Sequence, residues 1–171
     1  MKTFILILNI VLVIAMKATA QTDLPIDAAT GKITYQETVA VSGAKKDVLY
    51  NRAVKFATGK YKITGLKKAE GIFSFTGSFL VFYPGATTGL TDKGTVEFTV
   101  KITCKDGHYT FHYSDFHHMG DKGKGNGGKL EAPMSECGKL VLPKPGWEKI
   151  KKDTPTGVQN FTEQLKKAML G

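Results

Sequence analysis

The sequence contains little cysteine. Only Cys104 and Cys137 occur among its 171 residues, and they form no C-x-x-C pair. Two cysteines are too few for a disulfide scaffold, and their spacing matches no zinc or thiol-redox motif. A single bridge between them would be permitted in an oxidising compartment. The alternative is that Cys104, which has the parity of an apolar strand face, is a small core residue.

Long apolar runs are equally scarce. One extended run, Phe4–Ala15, follows a basic start at Lys2 and precedes the A-x-A pattern at Ala18–Ala20. These three features together are typical of a secretory signal peptide. A membrane anchor needs roughly 20 apolar residues, and this run ends after about a dozen. The pattern predicts cleavage between Ala20 and Gln21, export to the periplasm or the medium, and no membrane-spanning segment in the mature chain.

Acidic residues are the minority among the charged ones. The chain has 24 Lys and Arg against 15 Asp and Glu, and loss of Lys2 and Lys17 with the signal would leave a formal net charge of +7. The lysines are scattered and form no basic run, which is typical of solubilising charge. The same excess would attract an anionic glycan, lipid head groups or an acidic protein of the envelope. Nucleic acid is not an expected partner of an exported chain.

Catalytic motifs are missing. The chain has no G-x-S-x-G elbow and no recognisable pair of carboxylates for glycoside cleavage. The segment Gly120–Lys129 contains five glycines and no apolar residue, but it lacks the spacing of a phosphate-binding loop. We expect it to be a mobile loop outside any helix or strand. The sequence favours a non-enzymatic protein and indicates no cofactor.

Alternation of apolar and polar residues predicts four β-strands. The first covers residues 33–41, and the second covers 71–83, where Gly77 indicates a bulge or bend. The third is the most regular and begins at Thr95. It ends at Asp106-Gly107, a dipeptide that favours a two-residue hairpin turn into the fourth strand. The turn sets a register that places Cys104 opposite Tyr109, Ile102 opposite Phe111, Val100 opposite Tyr113 and Phe98 opposite Asp115.

Helical spacing occurs at two places. Ser42 is positioned to cap a helix whose apolar stripe is Leu49, Ala53 and Phe56. A C-terminal region at about 147–170 has a second stripe, which Pro155 divides into two helices or one kinked helix. The predicted fold is therefore α+β in the order β-α-β-β-β-α. It is an antiparallel sheet of about four strands with helices packed on one face, in one domain over 21–171.

Histidine is concentrated in one short segment. His108 and His112 are expected on the polar strand face opposite lysines, which are poor neighbours for a bound cation. The remaining candidates for a metal site are Asp115, His117, His118 and Asp121. Adjacent residues on a strand point apart, so His117 and His118 could both bind one ion only if the chain turned there. Solvated histidines are the competing interpretation.

Three stretches resemble a known family. They are the opening LPIDAATGKI, the helix motif Leu49–Ala53, and the hairpin KDGHYTFHYSDF. Together they make the chain, over about Leu24–Phe116, similar to exported bacterial proteins known as domain of unknown function 4468. The resemblance implies a fold like that of the TATA-binding protein. It implies no activity and no site residues. A fold shared with a DNA-binding protein does not by itself imply DNA binding.

A binding role is the hypothesis that these observations favour. We expect an exported, non-catalytic domain that contacts an envelope molecule through its polar sheet face or its Gly-rich loop. One alternative is a metal-binding or enzymatic protein that uses the segment Asp115–Asp121. Another is a binder of anionic envelope glycan or lipid through the excess lysines.

Overall fold

The computed structural model describes residues 24–87, 89–121 and 125–171. The predicted signal peptide, with its cleavage site at Ala20 and Gln21, lies outside these residues. The described residues form six strands and two helices: β1 (Tyr35–Ala40), α1 (Lys46–Ala57), β2 (Lys62–Lys67), β3 (Ile72–Pro84), β4 (Thr91–Lys105), β5 (His108–Gly120), β6 (Gly128–Lys129) and α2 (Lys144–Leu170).

The strands form one antiparallel sheet in the order β1-β5-β4-β3-β2, with β6 paired to β5. The α+β class and the antiparallel sheet are confirmed, but the expected number of four strands is wrong. β2 was not predicted, because a register shift between Ile63 and Gly65 breaks its alternation of apolar and polar residues. β6 was not predicted, because a strand of two residues has no periodicity to detect.

One face of the sheet carries the hydrophobic core. Alternate residues of β3, β4 and β5 are buried there, and both helices pack against these strands. The stripe predicted for α1 is confirmed, since Leu49, Ala53 and Phe56 are all buried. On α2, the Phe161 ring contacts the aromatic rings of five other residues, among them Phe75 and Phe98. The opposite face of the sheet is left to solvent.

The start of α1 is held by the β4–β5 turn. The helix begins after Lys45, and the Lys46 backbone N–H donates to Asp106 Oδ1 at 2.7 Å. This hydrogen bond is the main reason that the pKa of Asp106 lies below its ordinary value. The capping role predicted for Ser42 is therefore wrong. Asp106, sixty positions from Lys46, accepts the hydrogen bond that caps the helix. Local sequence patterns do not reveal a partner at that distance.

Pro155 lies inside a single helix. The two-helix alternative for the C-terminal region is wrong, because α2 continues from Lys144 to Leu170. Buried residues on both sides of Pro155, such as Ile150 and Phe161, pack onto the same sheet face and hold the helix together. Gly157 allows this close packing, because a Cβ there would overlap the Phe79 ring.

Gly77 does not mark a bulge. The β3–β4 register runs without a shift from Ile72 to Pro84, and Gly77 pairs with Phe98. A Cβ at Gly77 would come within 2.8 Å of the Val100 side chain and 2.9 Å of the Phe98 ring. The glycine therefore serves the close approach of core side chains.

The bulge lies in β5 instead. The predicted hairpin register is confirmed from Val100 to Lys105, but it shifts between Glu97 and Thr99. There Phe98 faces two residues of β5, and Asp115, at φ 58°, is the extra one. The prediction that Phe98 opposes Asp115 is therefore wrong. The parity of β5 reverses at this point, which a sequence register extended from the turn does not include.

Candidate functional site

The solvent-facing side of the sheet is a continuous and mostly polar surface, which we call the open face. None of its residues is buried. It comprises alternate residues of β3 from Ile72 to Phe82, of β4 from Lys93 to Lys105 and of β5 from His108 to Ser114, with His117 and Met119 beyond the bulge.

On this surface, residues of similar chemistry lie opposite each other on β4 and β5. Lys105 lies opposite His108, and Lys101 lies opposite His112. These four residues form what we call the basic end. Hydroxyl pairs alternate with these lysine–histidine pairs: Thr103 with Thr110, and Thr99 with Ser114. The arrangement is favourable for an anionic ligand, because the lysines carry positive charge and the histidines and hydroxyls offer hydrogen-bond donors.

Asp115 lies at the edge of the open face, in the bulge. Its carboxylate accepts a hydrogen bond from Lys32 Nζ at 2.6 Å and one from Ser114 Oγ at 3.1 Å. The Lys32 bond is the main cause of the lowered pKa of Asp115. Both residues line a hollow of about 380 Å³ together with His117 and Glu131. A carboxylate that is already paired in this way is a weak base and an unavailable metal ligand.

His117 lies on the open face. Its Nε2 is 3.4 Å from Glu97 Oε2, directly across the β4–β5 pair, and both side chains are partly exposed. Before the bulge, odd-numbered residues of β5 point to the core, and a register extended from the turn would place His117 on the core side with Asp115. The bulge places His117 on the opposite side, beside a carboxylate and not beside a metal site.

His118 is fully buried in the core. Its Nδ1 accepts a hydrogen bond from the Gly127 N–H at 3.1 Å, while Nε2 has no partner among the described residues. The Tyr83 ring meets the imidazole edge-on at a centroid distance of 5.0 Å. Burial lowers the pKa of His118 to about 4. The residue is therefore a neutral core side chain that holds the Gly-rich segment to the sheet.

Asp121 lies at the far end of β5, where its carboxylate is 3.8 Å from Lys93 Nζ. The four candidates for a metal site are thus kept apart. Asp115 pairs with Lys32, His117 pairs with Glu97, and Asp121 pairs with Lys93. His118 lies in the core. No group of three or more metal-ligating side chains comes together among the described residues. The structure gives the metal-binding or enzymatic alternative no support.

The other end of the open face is apolar. Leu80 and Phe82 on β3 are 64% and 55% exposed. We call these two residues the apolar end. Phe82 also lines a cleft of about 500 Å³, shared with Lys93, Asp121 and Val141. An exposed aromatic beside a polar cleft is a common feature of contact surfaces.

The cysteines lie far apart. Both are free thiols. Cys104 is buried opposite Tyr109 near the hairpin turn, and burial raises its pKa to about 11. Cys137 lies near Tyr83, whose partner on β4 is Asp92. Twelve residues of strand separate Asp92 from Cys104, roughly 40 Å at about 3.3 Å per residue. Cys104 therefore has the core role, because a disulfide needs Cα atoms within about 7 Å.

Most of the Gly-rich segment belongs to the described residues. Residues 122–124 lie outside the described part, but Gly120 belongs to β5 and Gly128–Lys129 form β6. The prediction that the segment contains no strand is therefore wrong. Gly127 has a packing role, since a Cβ there would overlap the Trp147 ring and crowd the His118 ring. In the part of the chain that the structure describes, no helix has the length and hydrophobicity needed to span a membrane.

A match to a protein-family model shows the family to which the chain belongs. The model of DUF4468, a domain of unknown function with a TBP-like fold, matches residues 35–119. The chain is a member of the DUF4468 family. The match covers β1 to β5 and therefore includes most of the open face. The predicted TBP-like fold is confirmed as well.

Two solved structures support the same fold. A DUF4468 family protein from Bacteroides ovatus aligns with a TM-score of 0.63 and 14% identity, covering 85% of this chain and 91% of its own. A TBP-like protein from Parabacteroides distasonis aligns with a TM-score of 0.63 and 21% identity, covering 85% of this chain and 96% of its own. No curated protein matches the sequence. At these identities the likeness concerns the fold alone.

Proposed function

We propose that this DUF4468 protein is an exported, non-catalytic binding domain whose open face contacts another molecule of the cell envelope. The observation that carries the proposal is the solvent-facing side of β3, β4 and β5, on which no residue is buried. Proteins that keep a sheet face free of helices must solvate it or cover it with a partner. The exposed Leu80 and Phe82 favour a partner.

The chemistry of the surface favours binding over catalysis. The acid–base candidates are engaged with each other or with lysines: Asp115 with Lys32, and His117 with Glu97. His118 is enclosed in the core. A catalytic site needs a nucleophile or base whose reactive atom is accessible to a substrate and positioned by a second group. The open face instead offers a broad array of hydroxyls and cations, which suits contact with an extended ligand.

Retention on an envelope fraction tests the proposal. The chain from Gln21 onward, which contains every described residue, would be incubated with envelopes of the exporting cell and sedimented. Leu80→Ser with Phe82→Ser is expected to reduce retention severalfold. The matched control, Leu66→Ser with Leu140→Ser, changes two exposed leucines outside the open face and is expected to retain full binding. Equal retention of all three proteins would overturn the proposal.

Export has its own test. The proposal requires a mature N-terminus at Gln21 in the periplasm or the medium, and mass spectrometry of the fractionated cell would measure it. Recovery only of the chain that begins at Met1, in the cytoplasm, would contradict export.

A further inference from the structure

Among the described residues, the two lysines of the basic end have no carboxylate partner, although the Asp27 carboxylate lies near His112. Lys101 and Lys105 form no ion pair within the part of the chain that the structure describes, whereas Lys93 at the other end pairs with Asp121. The carboxylate of the open face, on Glu97, is engaged by His117. Charge of one sign without a counter-charge favours an anionic ligand.

The cations recur along the strand with hydroxyls between them. Lys101 and Lys105 are four residues apart on β4, roughly 13 Å at about 3.3 Å per residue. Thr103 lies between them, opposite Thr110, whose Oγ1 is 2.8 Å from Thr38 Oγ1 on β1. A ligand complementary to this row has acidic groups at intervals and hydroxyls between them. Acidic polysaccharides have that chemistry.

Other polyanions fit the surface less well. Single-stranded nucleic acid is held by aromatic stacking platforms. The described residues that surround the basic end on the same face, on β1, β3, β4 and β5, include no Phe, Tyr or Trp. An anionic membrane surface needs apolar side chains beside the cations, so that they can enter the lipid. At the basic end the apolar residue beside the lysines is Ile72, opposite Thr103, and it is only partly exposed. The well-exposed Leu80 pairs with Thr95, six residues from Lys101 and roughly 20 Å away at about 3.3 Å per residue.

We infer that the basic end binds an acidic polysaccharide. Lys101 and Lys105 contact its carboxylate or sulfate groups, with His108 and His112 beside them as further hydrogen-bond donors. Thr99, Thr103 and Thr110 exchange hydrogen bonds with the sugar hydroxyls. This inference rests on the proposed function, because it assigns a ligand class to the same open face.

The test uses polygalacturonate as the probe and isothermal calorimetry as the measurement. Binding is expected for the chain from Gln21 onward, and Lys101→Gln with Lys105→Gln is expected to weaken it by about tenfold. The matched control is Lys152→Gln with Lys167→Gln, which removes the same charge from exposed positions on α2. We expect the control to change the Kd by less than about twofold, since these lysines lie across the core from the open face.

Thr103→Val separates sugar recognition from bulk charge. It removes a hydroxyl between the two lysines without changing the charge. The expected result is weaker binding of polygalacturonate, by about threefold, with unchanged binding of polyacrylate, which has carboxylates but no hydroxyls, as a charge-only reference. Unchanged polygalacturonate binding by this variant would contradict the hydroxyl contacts.

Several outcomes would overturn the inference. They are absence of polygalacturonate binding, equal losses in the lysine variant and its control, and tighter binding of duplex DNA or of phosphatidylglycerol vesicles than of the polysaccharide. If polygalacturonate does not bind while the Leu80 and Phe82 variant still loses envelope retention, the ligand class fails and the proposed function stands. If neither experiment shows an effect of the open face, both fail.

Discussion

His118 makes the stability of this protein depend on pH. Its side chain is 0% exposed, and burial lowers its pKa from 6.5 to about 4. In the unfolded chain the imidazole binds a proton near pH 6.5, whereas in the fold it stays neutral until about pH 4. Unfolding therefore takes up a proton between these values, and acid favours the unfolded state. Above pH 6.5 both states are neutral, and the full stability is present.

The size of the effect follows from the shift. One pKa unit corresponds to about 1.36 kcal/mol, so a fall from 6.5 to about 4 amounts to about 3 kcal/mol once the loss is complete. Between pH 7.5 and 4.5 the same linkage predicts a loss of about 2.5 kcal/mol from this residue alone. That is a large fraction of the roughly 5–15 kcal/mol by which ordinary domains are stable.

Urea unfolding at several pH values between 7.5 and 4.5 would measure the loss. The carboxylates whose pKa values lie below normal, such as Asp27, Asp106 and Asp115, lose their contributions mainly below this window, because their folded-state pKa values lie below 3.8. His118→Asn removes the titration and keeps an acceptor for the Gly127 N–H. We expect the variant to be less stable at pH 7.5, because it loses the ring packed against Tyr83, and to have a shallower pH dependence.

Two results would refute this reasoning. One is a pH dependence in His118→Asn as steep as in the parent chain. The other is an equal flattening in His112→Asn, the matched control that removes a histidine from the open face of the same strand. Either would show that burial of His118 is not the source of the acid sensitivity.

Substitutions at three positions test the packing and backbone of the fold by urea unfolding. Asp106→Ala removes the acceptor at the start of α1 and is expected to cost about 1 kcal/mol, whereas Asp106→Asn keeps an acceptor and is expected to cost less. Gly157→Ala places a methyl group against the Phe79 ring and is expected to cost about 1–3 kcal/mol, although alanine is the better helix former. Asp115→Gly is expected to be more stable than Asp115→Ala by about 1 kcal/mol. Both lose the Lys32 ion pair, but glycine adopts the positive φ without strain. An Asp115→Gly variant less stable than Asp115→Ala would contradict the backbone argument.

The regular part of the sheet was predictable from the sequence. The β4–β5 hairpin follows from strict alternation and from an Asp106-Gly107 turn, and its register held from Val100 to Lys105. The core stripe of α1 followed from helical spacing in the same way. These features depend on local rules of periodicity and turn geometry, which a single sequence displays.

The predictions that were wrong concern features that depend on contacts between distant parts of the chain. The cap of α1 comes from Asp106, and Asp115 is engaged by Lys32, eighty-three residues earlier. Neither partner has a local signature. The bulge did leave a trace in the sequence: apolar residues change parity between Tyr113 and Phe116. A change of parity within one strand indicates an inserted residue, and Asp tolerates the left-handed conformation that such a residue adopts.

The bulge determines which chemistry the open face can have. Without the extra residue in the register, His117 would point to the core and His118 to solvent. With Asp115 inserted, His118 becomes the neutral core residue beneath Gly127, and His117 turns outward to Glu97. The carboxylate of the open face is thereby occupied, which leaves Lys101 and Lys105 as its uncompensated charges. A local backbone irregularity thus places the two histidines of the predicted metal site on opposite faces of the sheet and pairs the outer one with a carboxylate, between the basic end and the apolar end. Recognition along an extended ligand, rather than reaction at one point, is the function for which such a surface is suited.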